Sequence, residues 1–345
     1  MGECRLRGIG GIRPRNGGRL GLSGGDRERR IGVTLVATVL NEAGNLGEWW
    51  TSIVGQSRLP DEVVVVDGGS SDGTAEQLRS LAERAPCQVR IEVCEGSNIA
   101  QGRNHAIALA SHDVIAVTDA GCVLSPYWLE RLMEPLEREP GTDLVAGFYC
   151  PLTAGWFEEV SACATVPLPW EVREGRFLPS SRSLAFRRRV WVDVGGYPEW
   201  LEIGEDMFFN HAWKKIHIQH TLAKDALVYW RMRRNVRTLL RQYFLYARGD
   251  GESGMYPQRH LLRFATYGWL VFCALSPRGR RMAIPTAAAG MLYAGRRWLR
   301  IPVYMEGRPA REQAAAAPCI ALLMLAIDGA KVAGYLAGLA RRLKR

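Results

Sequence analysis

From residue 31 onward, apolar β-branched runs alternate with segments of helical periodicity, and this alternation most constrains the fold. The runs predict strands at 31–39, 62–66, 88–93, 113–119 and 143–149. The intervening segments predict helices, of which the clearest are 75–85, 98–110 and a stretch ending near 138. Strands this apolar, joined by helices, are covered on both faces, as in a parallel sheet. The sequence therefore predicts an α/β fold with a mostly parallel sheet flanked by helices.

Two predicted helices carry candidate caps at their first turns. Asn45 with Glu48 is a plausible capping pair for the helix after the first strand. Thr74 with Gln77 is a candidate capping box for the next helix.

Acidic residues stand where the predicted strands end. The stretch "VVVVDGGSSDGT" (63–74) places Asp67 directly after a buried run, and "VTDAGC" does the same for Asp119. Ligands of parallel α/β sheets sit beyond the carboxyl ends of the strands, so these residues and the Thr38–Glu42 loop should converge on one crevice. The alternative is that each aspartate only caps the next turn, which is the favoured interpretation for Asp72.

The formal charge of +10 is concentrated at the two ends of the chain. Residues 1–30 hold eight arginines against three acidic residues, and the last five residues hold four basic ones. Nucleic-acid binding needs a basic stripe across a folded face, so this distribution argues against a nucleic-acid partner. Basic ends beside apolar segments fit an anionic membrane surface better.

Eight cysteines form no CxxC pair and no zinc-like spacing, which favours a reducing compartment. Residues 1–30 hold nine glycines and no apolar signal-peptide core, so secretion is not expected. The stretch predicts a disordered basic arm, or a start codon assigned upstream of the true one.

A second acidic pair stands in "GEDMFF", where Glu205 and Asp206 open a predicted helix. A carboxylate is favoured at a helix start by the free amides and the dipole, so the pair alone is ordinary. Combined with the aspartates at the strand ends, Asp206 becomes a candidate general base on the opposite wall of the crevice.

Five motifs together resemble those of the family 2 glycosyltransferases, in order and in approximate spacing. They are "TVLNEAGNL", "VVVVDGGSSDGT", "GRNHAI", "VTDAGC" and "GEDMFF", and they span roughly residues 31–250. The resemblance implies the glycosyltransferase A-type fold, which is a Rossmann-like nucleotide-diphospho-sugar transferase fold. It also implies a nucleotide-sugar donor, a divalent cation (Mg²⁺ or Mn²⁺) and inversion at the anomeric carbon.

Matching the motifs residue by residue assigns the donor site. The resemblance implies that Thr38 and Glu42 line the nucleoside pocket and that Asp67 bonds the base. Arg103 would contact base or phosphate. Asp119 would lie at the ribose and bind the metal.

On the acceptor side, the resemblance makes Asp206 the general base that deprotonates the attacking hydroxyl. A metal and an arginine would offset charge on the departing diphosphate while the hydroxyl attacks from the opposite face.

Two departures from the family pattern qualify these expectations. The DxD position reads Asp119-Ala120-Gly121, so the second carboxylate is missing and metal dependence is in doubt. The QxxRW-type motif of processive synthases is also absent, and "RQYFLYARGDG" stands in that region. We therefore predict one sugar per encounter, which long homopolymeric products would contradict.

Apolar stretches at 264–275, 282–294 and 314–327 follow the region of resemblance, each short of the roughly 20 residues that span a bilayer. Arginines cluster between them, as on cytoplasmic flanks. We expect helices that lie on or dip into the cytoplasmic side of the membrane; the alternative is a soluble helical subdomain. The predicted domains are thus an arm (1–30), a catalytic domain (31–255) and an apolar helical region with a basic tail (256–345).

The sequence leaves the donor sugar and the acceptor open. An acceptor hydroxyl on a lipid-linked or cell-envelope glycan would suit a membrane-associated enzyme. The alternative function is a non-catalytic nucleotide-sugar-binding or scaffold protein that retains the fold. The incomplete DxD favours that alternative, whereas the acid at Asp206 favours the enzyme.

Overall fold

The computed structural model describes residues 30–345, so the predicted N-terminal arm (1–30) lies outside the described residues except for Arg30. The described chain forms two compact units. The sheet unit contains residues 30–150 and Pro169–Arg231, and the helical unit contains Pro151–Leu168 and Met232–Arg345. These units differ from the predicted ranges 31–255 and 256–345, because the helix after Met232 packs along the C-terminal helix.

Strands and helices alternate through the sheet unit. Its strands are β1 (Val33–Val39), β2 (Glu62–Asp67), β3 (Gln88–Val93), β4 (Val114–Val117), β5 (Cys122–Leu124), β6 (Leu144–Leu152), β7 (Leu184–Arg187) and β8 (His220–Arg231). Its helices are α1 (Ala43–Val54), α2 (Thr74–Ala82), α3 (Ile99–Leu109), α4 (Trp128–Arg138), α6 (Arg188–Val194) and α7 (Glu205–Lys215).

Within residues 30–345 the strands form one sheet in the order β3-β2-β1-β4-β7-β6-β8-β5. Strands β3, β2, β1 and β4 pair in parallel. Strand β7 pairs antiparallel with β4 and β6, and β5 pairs antiparallel with β8. The predicted α/β fold, a sheet flanked by helices, is confirmed, but the sheet is mixed: the predicted parallel pairing holds only for its first half.

The four valines of β2 show why the parallel half is so apolar. Val63 and Val65 pack into a cluster on one face, and Val64 and Val66 pack into a cluster on the other. None of the four exposes any surface. Burying each side chain contributes on the order of 1.5 kcal/mol, and the polar residues of β2 stand only at its two ends, Glu62 and Asp67.

Both predicted caps are wrong. Helix α1 begins at Ala43 after Glu42, so Asn45 lies inside its first turn and is not its N-cap residue. Helix α2 begins at Thr74, and the residue before it is Gly73 in the left-handed conformation. Both helix starts are bound by the neighbouring loop instead, since the Glu42 amide donates to Thr74 Oγ1 at 2.9 Å.

The helical unit contains α5 and the helices α8 to α13. Its helices are α5 (Trp156–Thr165), α8 (Val236–Ser253), α9 (Pro257–Leu275), α10 (Pro277–Arg280), α11 (Ala283–Trp298), α12 (Ile301–Tyr304) and α13 (Ala310–Arg342). The predicted apolar stretches 264–275, 282–294 and 314–327 correspond to parts of α9, α11 and α13.

Helices α8 and α13 approach so closely that glycine is required in their contact. A Cβ on Gly334 would overlap the backbone carbonyl of Phe244, and one on Gly338 would overlap the carbonyl of Arg248. From the other side, a Cβ on Gly251 would overlap the carbonyl of Tyr335. We call this backbone-to-backbone contact the glycine seam.

Charged groups also fix α13 within the helical unit. Asp328 accepts from Arg263 Nε at 2.9 Å, and Lys331 lies with its ammonium 4.8 Å from the ring centre of Tyr243. Asp328 and Lys331 therefore join α13 to α9 and α8. Among residues 30–345, α13 alone is long and apolar enough to cross a membrane, with 28% of its most apolar window buried. The core helix of a soluble protein can be as long and as apolar, so length and composition do not establish that α13 spans a membrane.

Candidate active site

The loops that follow β1 and β2 are held together by hydrogen bonds. The Asn41 amide donates to Ser70 Oγ at 2.8 Å, and the Ser71 amide donates to Asn41 Oδ1 at 2.9 Å. The Ala43 amide donates to Asp72 Oδ2 at 3.1 Å, so Asp72 is a structural loop residue, as its turn context indicated. These bonds bring the predicted Thr38–Glu42 loop beside the loop that contains Asp67.

Asp67 is fully buried at the end of β2, with one carboxylate oxygen satisfied and one not. Its Oδ1 accepts from the amides of Gly69 and Ser70 at 2.8 and 2.7 Å. Its Oδ2 has no hydrogen-bond partner among the residues that the structure describes. A buried acceptor without a donor lowers the stability of the fold by about 1–3 kcal/mol. This oxygen can therefore accept a hydrogen bond from a ligand N–H.

Helix α3 reaches the strand ends because a glycine allows close contact with β1. A Cβ on Gly102 would lie only 2.8 Å from the Thr38 methyl carbon. The helix starts with a full capping box formed by Asn98 and Gln101. This close approach positions the next residue, Arg103, at the carboxyl end of the sheet.

Arg103 joins two acidic segments that are far apart in the chain. Its guanidinium is 2% exposed and donates Nη1–H to Glu205 Oε1 at 2.5 Å and Nη2–H to Asp119 Oδ1 at 2.7 Å. It also lies 5.4 Å from the ring centre of Tyr197. The buried arginine thus fixes the distance between the end of β4 and the start of α7.

The charges of this cluster stabilise one another. Burial alone would lower the pKa of Arg103, but the negative charges of Asp119 and Glu205 outweigh it and hold that pKa above its ordinary value. Burial raises the pKa of the Glu205 carboxyl, and Arg103 opposes that rise. The guanidinium therefore stays charged at any pH at which the protein is folded.

The two acids at the start of α7 have different surroundings. Gly204 precedes them with a φ of 87°, which turns the chain sharply into the helix. Glu205 is buried against Arg103, whereas Asp206 is partly exposed and accepts from Ser180 Oγ at 3.2 Å. Of the pair, Asp206 is the carboxylate that a ligand can reach.

Sequence reasoning missed Arg182, the second arginine at Asp119. Its Nε lies 3.5 Å from Asp119 Oδ2, and its Nη1 donates to Ser180 Oγ at 3.1 Å. Its guanidinium lies 4.5 Å from the ring centre of Trp230, a residue of β8 that pairs with Cys122 of β5. A chain of contacts thus runs from Asp206 through Ser180 and Arg182 to Asp119.

The resemblance implies a divalent cation at Asp119, and the side chains around this residue do not fit one. Both of its carboxylate oxygens already face guanidinium groups, those of Arg103 and Arg182. No group of three or more His, Cys, Asp or Glu residues that could hold an ion occurs within residues 30–345. A divalent cation at Asp119 would meet two positive charges, each repelling it by about 8 kcal/mol at 4 Å and an effective dielectric of 20.

Four of the six predicted site residues belong to the Arg103 cluster or contact the helix that carries Arg103. Arg103, Asp119 and Asp206 belong to one network of contacts, and Thr38 lies against the helix turn that carries Arg103. Glu42 lies in the loop beyond β1, and Asp67 is the last residue of β2, at the start of the loop linked to it. A cavity of about 600 Å³ lined by Cys94, Trp191 and Glu199 contains none of the six, so it is a separate feature.

Comparison with known proteins agrees with the fold and with the motifs. Residues 34–182 match the family described as Glycosyl transferase family 2. Glycosyltransferase AglE of Haloferax volcanii is 27% identical over 246 residues, which cover 69% of this chain and 80% of that relative. Poly-β-1,6-N-acetyl-D-glucosamine synthase of Staphylococcus aureus is 24% identical over 119 residues, 34% of this chain and 28% of the synthase.

Among solved structures, that of S. aureus TarS 1-349 with UDP-GlcNAc has a TM-score of 0.50 at 14% identity, over 91% of this chain and 93% of that one. This likeness shows a shared fold.

Fold and sequence together define a sugar-transferring enzyme of the glycosyltransferase A type. The chain is a glycosyltransferase, and its residues 34–182 match family 2.

Proposed function

We propose that the protein moves one sugar from a nucleoside-diphosphate sugar to an acceptor hydroxyl, inverting the anomeric carbon. The observation that carries this proposal is the cluster in which buried Arg103 holds Asp119 and Glu205, with Asp206 beside them. It places a fixed positive charge and a ligand-accessible carboxylate in one site, as a single displacement of a diphosphate requires.

Asp67 supports a nucleotide as the donor. Its unsatisfied Oδ2 accepts an N–H from the base, and its Oδ1 stays fixed by two loop amides. Thr38 and Glu42 line the same nucleoside pocket from the end of β1 and its loop. A base that lacks an N–H at this position leaves a buried acceptor unpaired and binds more weakly.

In the proposed reaction, Asp206 takes the proton as the acceptor oxygen bonds to the anomeric carbon. The bond from that carbon to the diphosphate oxygen breaks, and its electron pair leaves with the diphosphate. Arg103 offsets the charge that develops there, and its two carboxylate partners keep the guanidinium from moving. Attack opposite to the leaving group inverts the centre, as with the separated carboxylates of inverting hydrolases.

Titration of the purified full-length protein with nucleotide sugars tests the donor class. UDP-GlcNAc, the ligand of the TarS structure, is the first to titrate, followed by GDP- and dTDP-sugars. We expect calorimetry to show one donor bound, with an affinity about 5- to 150-fold lower for Asp67→Ala, because the base loses a charged acceptor. If Asp67→Ala binds every donor as well as the natural protein does, the base-binding role is wrong; if no nucleotide sugar binds, the donor class is wrong.

We also propose that the helical unit binds the cytoplasmic face of an anionic membrane, where a lipid-linked or other cell-envelope glycan serves as acceptor. Large apolar side chains stand exposed on α9 and α11, including Leu275 (76%), Ile284 (83%) and Leu292 (75%). The exposed arginines between and beside them are Arg278, Arg280, Arg281 and Arg296. Arg300, also expected on this basic edge, is instead buried and donates to the carbonyl of Cys163.

Vesicle flotation tests the membrane surface. The protein should float with phosphatidylglycerol vesicles, less so at high salt, and the double variant Leu275→Asp/Leu292→Asp should bind at least about 10-fold more weakly. Val192→Asp, at an exposed apolar residue of the sheet unit, is the matched control and should float normally. Failure of the natural protein to float with anionic vesicles would contradict the proposal.

A further inference from the structure

The site lacks the second carboxylate with which the family usually holds a metal, and it has a second arginine in its place. Ala120 and Gly121 follow Asp119, so neither supplies an oxygen ligand from its side chain. Arg182 lies on the Asp119 oxygen that faces away from Arg103. The single carboxylate of this motif is thus shared by two guanidinium groups.

We propose that Arg182, with buried Arg103 behind it, binds the donor diphosphate in place of a divalent cation, so that transfer is independent of metal. This inference rests on the proposed function and assigns the charge that stabilises its leaving group. A guanidinium carries a permanent charge and a planar fork of N–H donors that matches phosphate oxygens.

The contacts of Arg182 hold it in position for this role. Stacking over Trp230 and the bonds to Asp119 and Ser180 fix its guanidinium from three directions. Its side chain is 19% exposed, against 2% for Arg103, so Arg182 is the more accessible of the two arginines. Arg103 supports Asp119 from within, and Arg182 faces the ligand.

Ser180 also connects the proposed general base with the arginine proposed to bind the diphosphate. Ser180 donates to Asp206, the proposed base, and accepts from Arg182. The proton moves from the acceptor hydroxyl to Asp206, and the electron pair of the broken bond moves to the diphosphate oxygen beside Arg182. A hydroxyl shared between these two residues keeps the proton acceptor and the charge that stabilises the leaving group at a fixed separation.

Calorimetric titration with the donor that binds, in EDTA and then in Mn²⁺, tests the inference. We expect the natural protein to bind with the same affinity, within about twofold, in both conditions, and to transfer sugar in EDTA. Arg182→Ala should bind the donor about 10- to 100-fold more weakly in EDTA, because it loses charge-assisted bonds to phosphate. Arg182→Lys keeps a point charge without the fork and should fall between the two. Arg84→Ala, at an exposed arginine after α2, is the matched control and should bind normally.

A second variant tests the inference even if Arg182→Ala does not fold. Arg182→Asp restores a pair of carboxylates, and it should bind the donor only when Mn²⁺ is present. If the natural protein binds the donor only with Mn²⁺, the inference is overturned and the proposed function stands. If no donor binds in either condition, the proposed function itself has failed.

Discussion

Asp206→Asn is expected to lower the transfer rate by about 10²- to 10⁴-fold while donor affinity stays within about twofold of the natural protein. Asparagine has nearly the same shape and can still accept from Ser180, but it cannot take the acceptor proton. Single-turnover transfer measured beside calorimetric donor binding separates these effects. A loss confined to the chemical step is what a general base predicts.

Asp193→Asn provides the matched control for this substitution. Asp193 is an exposed carboxylate on the short helix α6 of the same unit, and its substitution should leave both rate and affinity unchanged. If Asp206→Asn transfers sugar at the natural rate, another group must take the proton. If it loses donor binding as well as rate, Asp206 contributes to the donor site and is not only a base.

Arg103→Met is expected to destabilise the protein by about 3–5 kcal/mol, the largest stability change that we predict. The substitution leaves Glu205 buried and Asp119 partly buried without the charge that both contact. For a unit of this size the melting temperature should fall by roughly 10 °C or more, which differential scanning calorimetry measures.

Two further variants separate loss of the charge from loss of packing. Arg103→Met/Glu205→Gln removes a buried carboxylate together with its partner, and it should recover part of the lost stability. Arg79→Met, at an exposed arginine 3.8 Å from Glu76 on the same helix, should change stability by less than about 0.5 kcal/mol. Equal melting temperatures for Arg103→Met and the natural protein would show that Arg103 does not hold the cluster together.

The parallel half of the sheet was predictable because its signal is local. In β2 the four side chains between Glu62 and Asp67 are all valines, and they are buried on both faces of the sheet. The antiparallel half depends on pairing between distant segments, as where β7 joins both β4 and β6. Nothing within residues 184–187 specifies that pairing, which explains why the sequence suggested a more uniform sheet.

The same distinction applies to the site. Asp67 and Asp119 were predicted because each stands at the end of a buried apolar run. Arg182 lies 63 positions beyond Asp119, in a serine-rich segment without periodicity, and it meets Asp119 only through the fold. The missing carboxylate after Asp119 was the one departure that pointed away from a metal, and it did not indicate Arg182.

The predictions of the helix caps were wrong for a related reason. Glycine in the left-handed conformation at position 73, and bonds between two loops, perform the role that side-chain caps were expected to perform. A cap prediction examines four neighbouring residues, whereas the Glu42 amide finds its acceptor on Thr74, 32 positions away.

The glycine seam limits which substitutions this protein can accept in evolution. Because the carbonyls of Phe244 and Arg248 occupy the space where side chains on α13 would stand, Gly334 and Gly338 cannot mutate alone without parting the two helices. A larger residue could become fixed only if α8 shifted at the same time. Two segments some ninety positions apart can therefore change at this contact only together.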